Sequence, residues 1–176
     1  MSNVAEIVQD GIYDSFTAIL RDMGYVDTLV VFANENGLEP RNSYLLVNIL
    51  DNKHVGRHSS GTFLTEEKEE LVTIEFYEIC LQLSFIGKHS QNIAWDWDSE
   101  VPAQHYTREE FQKRSLGYMR KSNIRRNPQP RESGWSEMFN LDMDLSFSII
   151  TRRREDWIEY ITFNGEIIKT RESSLP

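Results

Sequence analysis

Residues 72–85 read VTIEFYEICLQLSF. Val72, Ile74 and Phe76 alternate with Thr73 and Glu75. The parity then slips, and Ile79, Leu81, Leu83 and Phe85 alternate with Glu78, Cys80, Gln82 and Ser84. A period of two belongs to a strand with one buried face. A slip of one residue turns the face over, so the pattern predicts a β-bulge at Tyr77 and Glu78 that restores it. A second stretch answers the first. Phe139, Leu141, Met143, Leu145, Phe147 and Ile149 alternate with Asn140, Asp142, Asp144, Ser146 and Ser148. Two long half-polar strands belong in one largely antiparallel sheet. The fold class expected is therefore α+β: a largely antiparallel, mixed sheet with helices packed on one face. The other face is wet or meets another subunit.

Upstream, Val4, Ile7, Val8, Ile12, Phe16, Ile19, Leu20 and Met23 fall at helical spacing and form one apolar stripe. Ser2 or Asn3 suits the start of that helix and Gly24 its end. Residues 29–32 form a short first strand, residues 34–41 (NENGLEPR) a turn, and residues 44–50 (YLLVNIL) a central strand. Residues 51–70 lack apolar periodicity and read as a projecting loop or extended β-hairpin arm that orders against a partner. Downstream of Phe85, a helix is expected over residues 90–97 with Ile93, Ala94 and Trp97 inward. Thr107 and Glu110 have capping-box form, opening a helix that buries Phe111, Leu116 and Met119. Residues 122–129 read as an edge strand ending at prolines. A C-terminal hairpin over residues 156–170 carries Trp157, Ile161 and Phe163, turns at Asn164-Gly165 and returns through Ile167 and Ile168. The whole, residues 1–176, is read as one domain.

Charge is more informative than length. The net charge of −9 disfavours free DNA or an anionic membrane as the main partner of the whole surface. Residues 1–110 hold 19 acids and 7 bases. Residues 111–131 hold seven bases (Lys113, Arg114, Arg120, Lys121, Arg125, Arg126, Arg131) and no acid, while Glu66, Glu67, Glu69 and Glu70 form an opposite cluster. Two solvated surfaces explain this plainly. The sharper reading sets the basic segment of one subunit against the acidic arm of the next, a head-to-tail contact that closes into a ring. Trp135, in a polar loop, is the best aromatic candidate for such an interface. A single cysteine, Cys80, permits no internal disulfide. The N-terminus lacks the basic run and apolar core of a signal peptide, and no stretch has the length and hydropathy of a membrane span.

Catalytic and metal-binding chemistry is sparse. His54 and His58 stand four apart but enclose Gly56 in loop-like sequence, and a metal site needs a third ligand. Asp96, Asp98 and Glu100 lack the glycine and closing glutamate of a calcium loop. Asp142 and Asp144 share a strand face, as paired acids in a nuclease would, but they share it with Asn140, Ser146 and Ser148, which points to a wet face. No phosphate loop, dinucleotide fingerprint or nucleophile elbow is present. Neither a catalytic residue nor a metal or cofactor site is assigned. A metal-dependent nucleic-acid enzyme and a monomeric peptide-binding module are the rivals from other classes.

Pro40-Arg41 with Tyr44-Leu45, the run Gln82-Leu83-Ser84-Phe85-Ile86-Gly87 before a helix, Ile124-Arg125 followed by Pro128-Gln129, and residues 132–140 (ESGWSEMFN) before Asp156-Trp157-Ile158 stand in a fixed order. Together they make residues 27–161 resemble the neck and tail-terminator proteins of tailed bacteriophages. The resemblance implies a structural virion protein, assembled in the host bacterial cytoplasm. It implies a ring of about six subunits that ends the tail tube. The expected partners are other copies of itself, head connector or adaptor proteins and tail proteins, with phage DNA only as transiting cargo and no membrane. Interface candidates are then Glu66, Glu67, Glu69, Glu70, Arg120, Lys121, Arg125, Arg126, Arg131 and Trp135. Candidates to line the bore are Glu75, Glu78, Asp142 and Asp144. A head-completion adaptor or a tail tube subunit is the alternative within the same particle.

Overall fold

The structure is a computed structural model that describes residues 4–33, 39–56, 59–65, 68–131, 134–154, 160–163 and 166–169. The apolar stripe of the N-terminal segment forms α1 (Val4–Asp22). Ile12, Phe16, Ile19 and Leu20 are buried along it. Gly24 ends it at φ +89°, where the Tyr25 N–H donates back to Leu20 O at 2.8 Å. The proposed caps Ser2 and Asn3 lie outside the described residues.

Two further helices follow the long strand. α2 (Ser90–Glu100) buries Ile93, Ala94 and Trp97, as their spacing predicts. α3 spans His105–Gln112. Here the expectation fails in two ways. Thr107 does not cap α3: it lies within the first turn, fully buried, and its hydroxyl donates to the Val101 carbonyl at 2.8 Å. Nor does the helix run on through Met119. Ser115 adopts φ 56° and the chain leaves as a strand, β5 (Leu116–Lys121), with Met119 exposed. A left-handed turn at a non-glycine residue carries no strong sequence signal.

The strands β1 (Leu29–Phe32), β2 (Tyr44–His54), β4 (Lys68–Ile86), β9 (Met138–Arg154) and β5 lie side by side in that order. β1 runs parallel to β2, while β2 with β4 and β5 with β9 are antiparallel. The sheet is thus largely antiparallel and mixed, as expected. β6 (Arg125–Arg126) adds to β9 on the side of β5. β7 (Gln129–Arg131) and β8 (Gly134–Ser136) form a separate two-stranded ribbon, so the single edge strand expected over residues 122–129 is split between two sheets. Pro128 and Pro130 lack the N–H that would continue a ladder.

The bulge falls elsewhere than predicted. Pairing of β2 with β4 runs unbroken through Tyr77 and Glu78 and shifts instead at Leu50, which is skipped between Ile49–Leu81 and Asp51–Cys80. Phe76 therefore stays on the opposite face from Ile79 and is 48% exposed. The core lies between the sheet and the helices. Phe16 packs edge-on against Trp97 (ring centroids 5.0 Å) and Phe111 (6.2 Å), and Phe85 of β4 meets the same Trp97 at 5.9 Å. One aromatic junction thus ties α1, α2, α3 and β4. Tyr77 stacks on Phe147 at 4.8 Å, joining β4 to β9.

Two compact units divide the chain. The first comprises residues 1–56 and 76–148 and holds the helices and the packed sheet. The second comprises residues 57–75 and 149–176. Within it β3 (Ser59–Thr65) pairs antiparallel with the start of β4, from Ser59–Ile74 to Thr65–Lys68. Of the segment 51–70, residues 51–54 thus belong to β2, and β3 with the start of β4 forms a hairpin. β10 (Tyr160–Phe163) and β11 (Glu166–Lys169) make the C-terminal hairpin. Trp157 and the Asn164-Gly165 turn lie outside the described residues.

Candidate assembly surfaces

The face of the sheet away from the aromatic junction carries the polar parity of β4 and β9. Glu78 and Cys80 come from β4, Asn140, Asp142 and Asp144 from β9, and Arg120 and Arg125 from β5 and β6. Register explains the grouping. Arg120 stands opposite Asp144 and Arg125 opposite Asn140. The Arg120 guanidinium donates to the Asp144 carboxylate and lies 3.5 Å from Glu78. Arg125 donates to Asp142 at 2.5 Å. Lys121 reaches Asp98 on α2, and Arg126 donates to Glu137 at 2.6 Å. Earlier in the segment, Glu110 accepts from both Lys113 and Arg114. Six bases of the run that looked open in sequence, all but Arg131, are matched by acids of their own chain.

These pairs set the local chemistry. Asp144 is 8% exposed, and its charge is tolerated there because a guanidinium answers it. Asp144 in turn holds Arg120 more firmly protonated. Cys80 borders a small cleft of about 270 Å³ with Arg120, Lys121, Ser122, Asp142 and Asp144. Burial first, then its hydrogen bond to Asp144, push the thiol up to about 11. A thiol held protonated is a poor nucleophile. Asp142 and Asp144, the pair a nuclease reading would use, each carry an arginine partner. Asn140 Oδ1 and Asp142 Oδ1 are buried without a hydrogen-bond partner among the described residues.

The other candidates are placed as follows. Glu69 and Glu70 lie in β4 opposite Leu64 and Phe63. Glu75 belongs to the same strand. Arg131 pairs with Gly134, and Trp135 with Pro130, in the β7–β8 ribbon. The side chains of Glu69, Glu70, Arg131 and Trp135, and the whole of Glu66, Glu67 and His58, lie outside the described residues. His54 packs edge-on against Tyr77 at 5.1 Å. Among the described residues no group of three or more His, Cys, Asp or Glu is placed to hold a metal ion. Among them, too, no helix is long and apolar enough to cross a membrane.

A second concave surface escaped the sequence reading. It lies where β1, β2 and α2 begin and is lined by Arg41, Lys88 and His89 among others. Its one local signal is Gly87, which takes φ +109° and lies so close to β2 that an added Cβ would sit 2.8 Å from Ser43 Cα.

A family model described as phage neck terminator protein matches residues 10–172. The chain belongs to that family. The match extends beyond the residues 27–161 that carry the resemblance in sequence, and it takes in both compact units. A comparison with curated proteins finds no match. A phage neck terminator is a structural component of the virion and works among other head and tail proteins of the particle. The α+β sheet with helices on one face is the framework on which this neck terminator carries its surfaces.

Proposed function

We propose that copies of this neck terminator close into a ring at the top of the tail tube, end tube growth and join the tail to the head connector. The phage genome would pass through the bore. The observation that carries this reading is the family match over residues 10–172. The charge distribution is compatible with it. In a chain of net charge −9, the acids paired with Arg120, Arg125 and Arg126 reduce the free cationic charge that these residues offer to passing phosphates. Glu75, Glu78, Asp142 and Asp144 are proposed for the bore. Since Arg120 and Arg125 pair with Glu78, Asp142 and Asp144, a wall made from this face would be only weakly acidic. DNA would not adhere to such a wall. Arg126, Arg131 and Trp135 are proposed for contact between subunits.

Polymerisation of the phage's tube protein in the presence and absence of this chain tests the reading. Tubes that stop growing with the chain at one end are expected. Incorporation along the tube would make it a tube subunit. Binding to head connectors with no effect on tubes would make it a head-completion adaptor.

A further inference from the structure

We propose that the concave surface bearing Arg41 and Lys88 receives the acidic hairpin tip, residues 66–70, of a second copy of this chain. The inference rests on the ring reading above and names where neighbouring subunits meet. The cavity measures about 550 Å³. Arg41, Ser43, Lys88 and His89 line it, with Val26 as an apolar wall and Asp27 as its acid. Its shape is fixed by backbone contact. The close approach of Gly87 to Ser43 sets Lys88 and His89 beside the start of β2, and the His89 N–H donates to Ser43 Oγ at 3.3 Å.

The two cations here differ from those of the basic segment. Lys113, Arg114, Arg120, Lys121, Arg125 and Arg126 all make ion pairs with acids of their own chain. Arg41 and Lys88 are exposed and make none among the described residues. The first turn of α2 contains no acid, so its free N–H groups add to the positive potential. Val26, 67% exposed, offers apolar surface beside the cations.

The occupant is chosen by complementarity. Residues 66–70 read EEKEE, four acids against one lysine. The last pair of the β3–β4 hairpin, Thr65 with Lys68, leaves only Glu66 and Glu67 between them in sequence. A hairpin arm seven residues long reaches roughly 20 Å at the rise of a strand. Socket and tip are different patches, so the contact is heterologous and repeats around a closed ring. The cations that the arm would meet are then Arg41 and Lys88 rather than Arg120, Lys121, Arg125 and Arg126, which are paired within their own chain.

The test uses the full chain as an equal mixture of ¹⁴N- and ¹⁵N-labelled protein, treated with a carbodiimide that joins amines to carboxylates in direct contact. Peptides joining Lys88 to Glu66, Glu67, Glu69 or Glu70 with one label on each side are expected. In parallel, R41E/K88E and E66K/E67K should each raise the concentration needed for assembly by about tenfold or more, and the combined swap should restore most of it. Circular dichroism checks that each variant is folded. Rings that form normally without Lys88 cross-links, Lys88 cross-links confined to single copies, or reversals without effect on assembly would overturn this inference while leaving the ring intact. A wild-type chain that stays monomeric under all conditions would remove the ring and this contact together.

Discussion

Arg125 on β6 donates to Asp142 on β9 at 2.5 Å, so the exposed end of the basic segment is tied to the central sheet of its own subunit. Arg126 makes the corresponding contact with Glu137. Reversing both arginines would place glutamates against two acids across a strand pair. Arg125→Glu with Arg126→Glu should lower the Tm of the subunit by a few degrees, whatever it does to assembly. Differential scanning calorimetry at low and high salt checks this. A loss that shrinks as salt rises is expected, because exposed pairs are screened.

Cys80 should react slowly in the folded protein. With its thiol pushed up to about 11, about one molecule in a thousand carries the thiolate at pH 8. Iodoacetamide labelling should therefore be far slower than for a free cysteine and should accelerate as pH approaches the raised value. Asp144→Asn removes an acceptor and a negative charge beside the thiol and should speed labelling at pH 8. An unchanged rate would show that burial alone governs the thiol.

Two glycines should respond oppositely to alanine. In α1, a Cβ on Gly11 would meet Arg114 Cβ at 3.6 Å and Leu116 Cδ1 at 3.8 Å, ordinary contact distances. Gly11→Ala should stabilise the subunit by about 0.5–1 kcal/mol through helix propensity. Gly87 has a positive φ and no room, so Gly87→Ala should destabilise it and loosen the join between β2 and β4. Urea unfolding of both variants reads the two signs directly.

Glu110 should contribute to acid stability. Its hydrogen bond with Lys113, followed by that with Arg114, holds the carboxyl below its ordinary value despite partial burial. A depressed folded-state value gives stability that is present above the unfolded carboxylate range, near pH 4.3, and lost as pH falls through the folded value. Glu110→Gln should lower stability at neutral pH and flatten the acid limb of the stability curve. Chemical denaturation between pH 2 and pH 7 measures the slope.

The two long strands and α1 are legible in the sequence because their signals are local and repeat every two or 3.6 residues. What depends on a partner is not. The parity slip before Ile79 is visible in β4, but the skipped residue is Leu50 on the neighbouring strand. Thr107 and Glu110 have the spacing of a capping box, yet tertiary contacts draw the threonine into the helix, where it satisfies Val101 O. Leu116 and Met119 fit a helical stripe until Ser115 turns the chain at positive φ. The candidate surfaces suffer most. The acids that match the basic segment lie 24 residues from Arg120 and 17 from Arg125, so composition shows an open patch where the fold has closed one. Arg41 and Lys88, which form no ion pair among the described residues, are separated in sequence by β2, β3 and β4 and meet only where Gly87 packs against Ser43.

The most direct test of the proposed ring is the mass of the purified chain by native mass spectrometry, alone and after incubation with tail tubes, at low and moderate salt. A closed assembly of about six subunits, free or at the tube end, is the expected result. A chain that stays monomeric in solution at every concentration and on added tubes would contradict it.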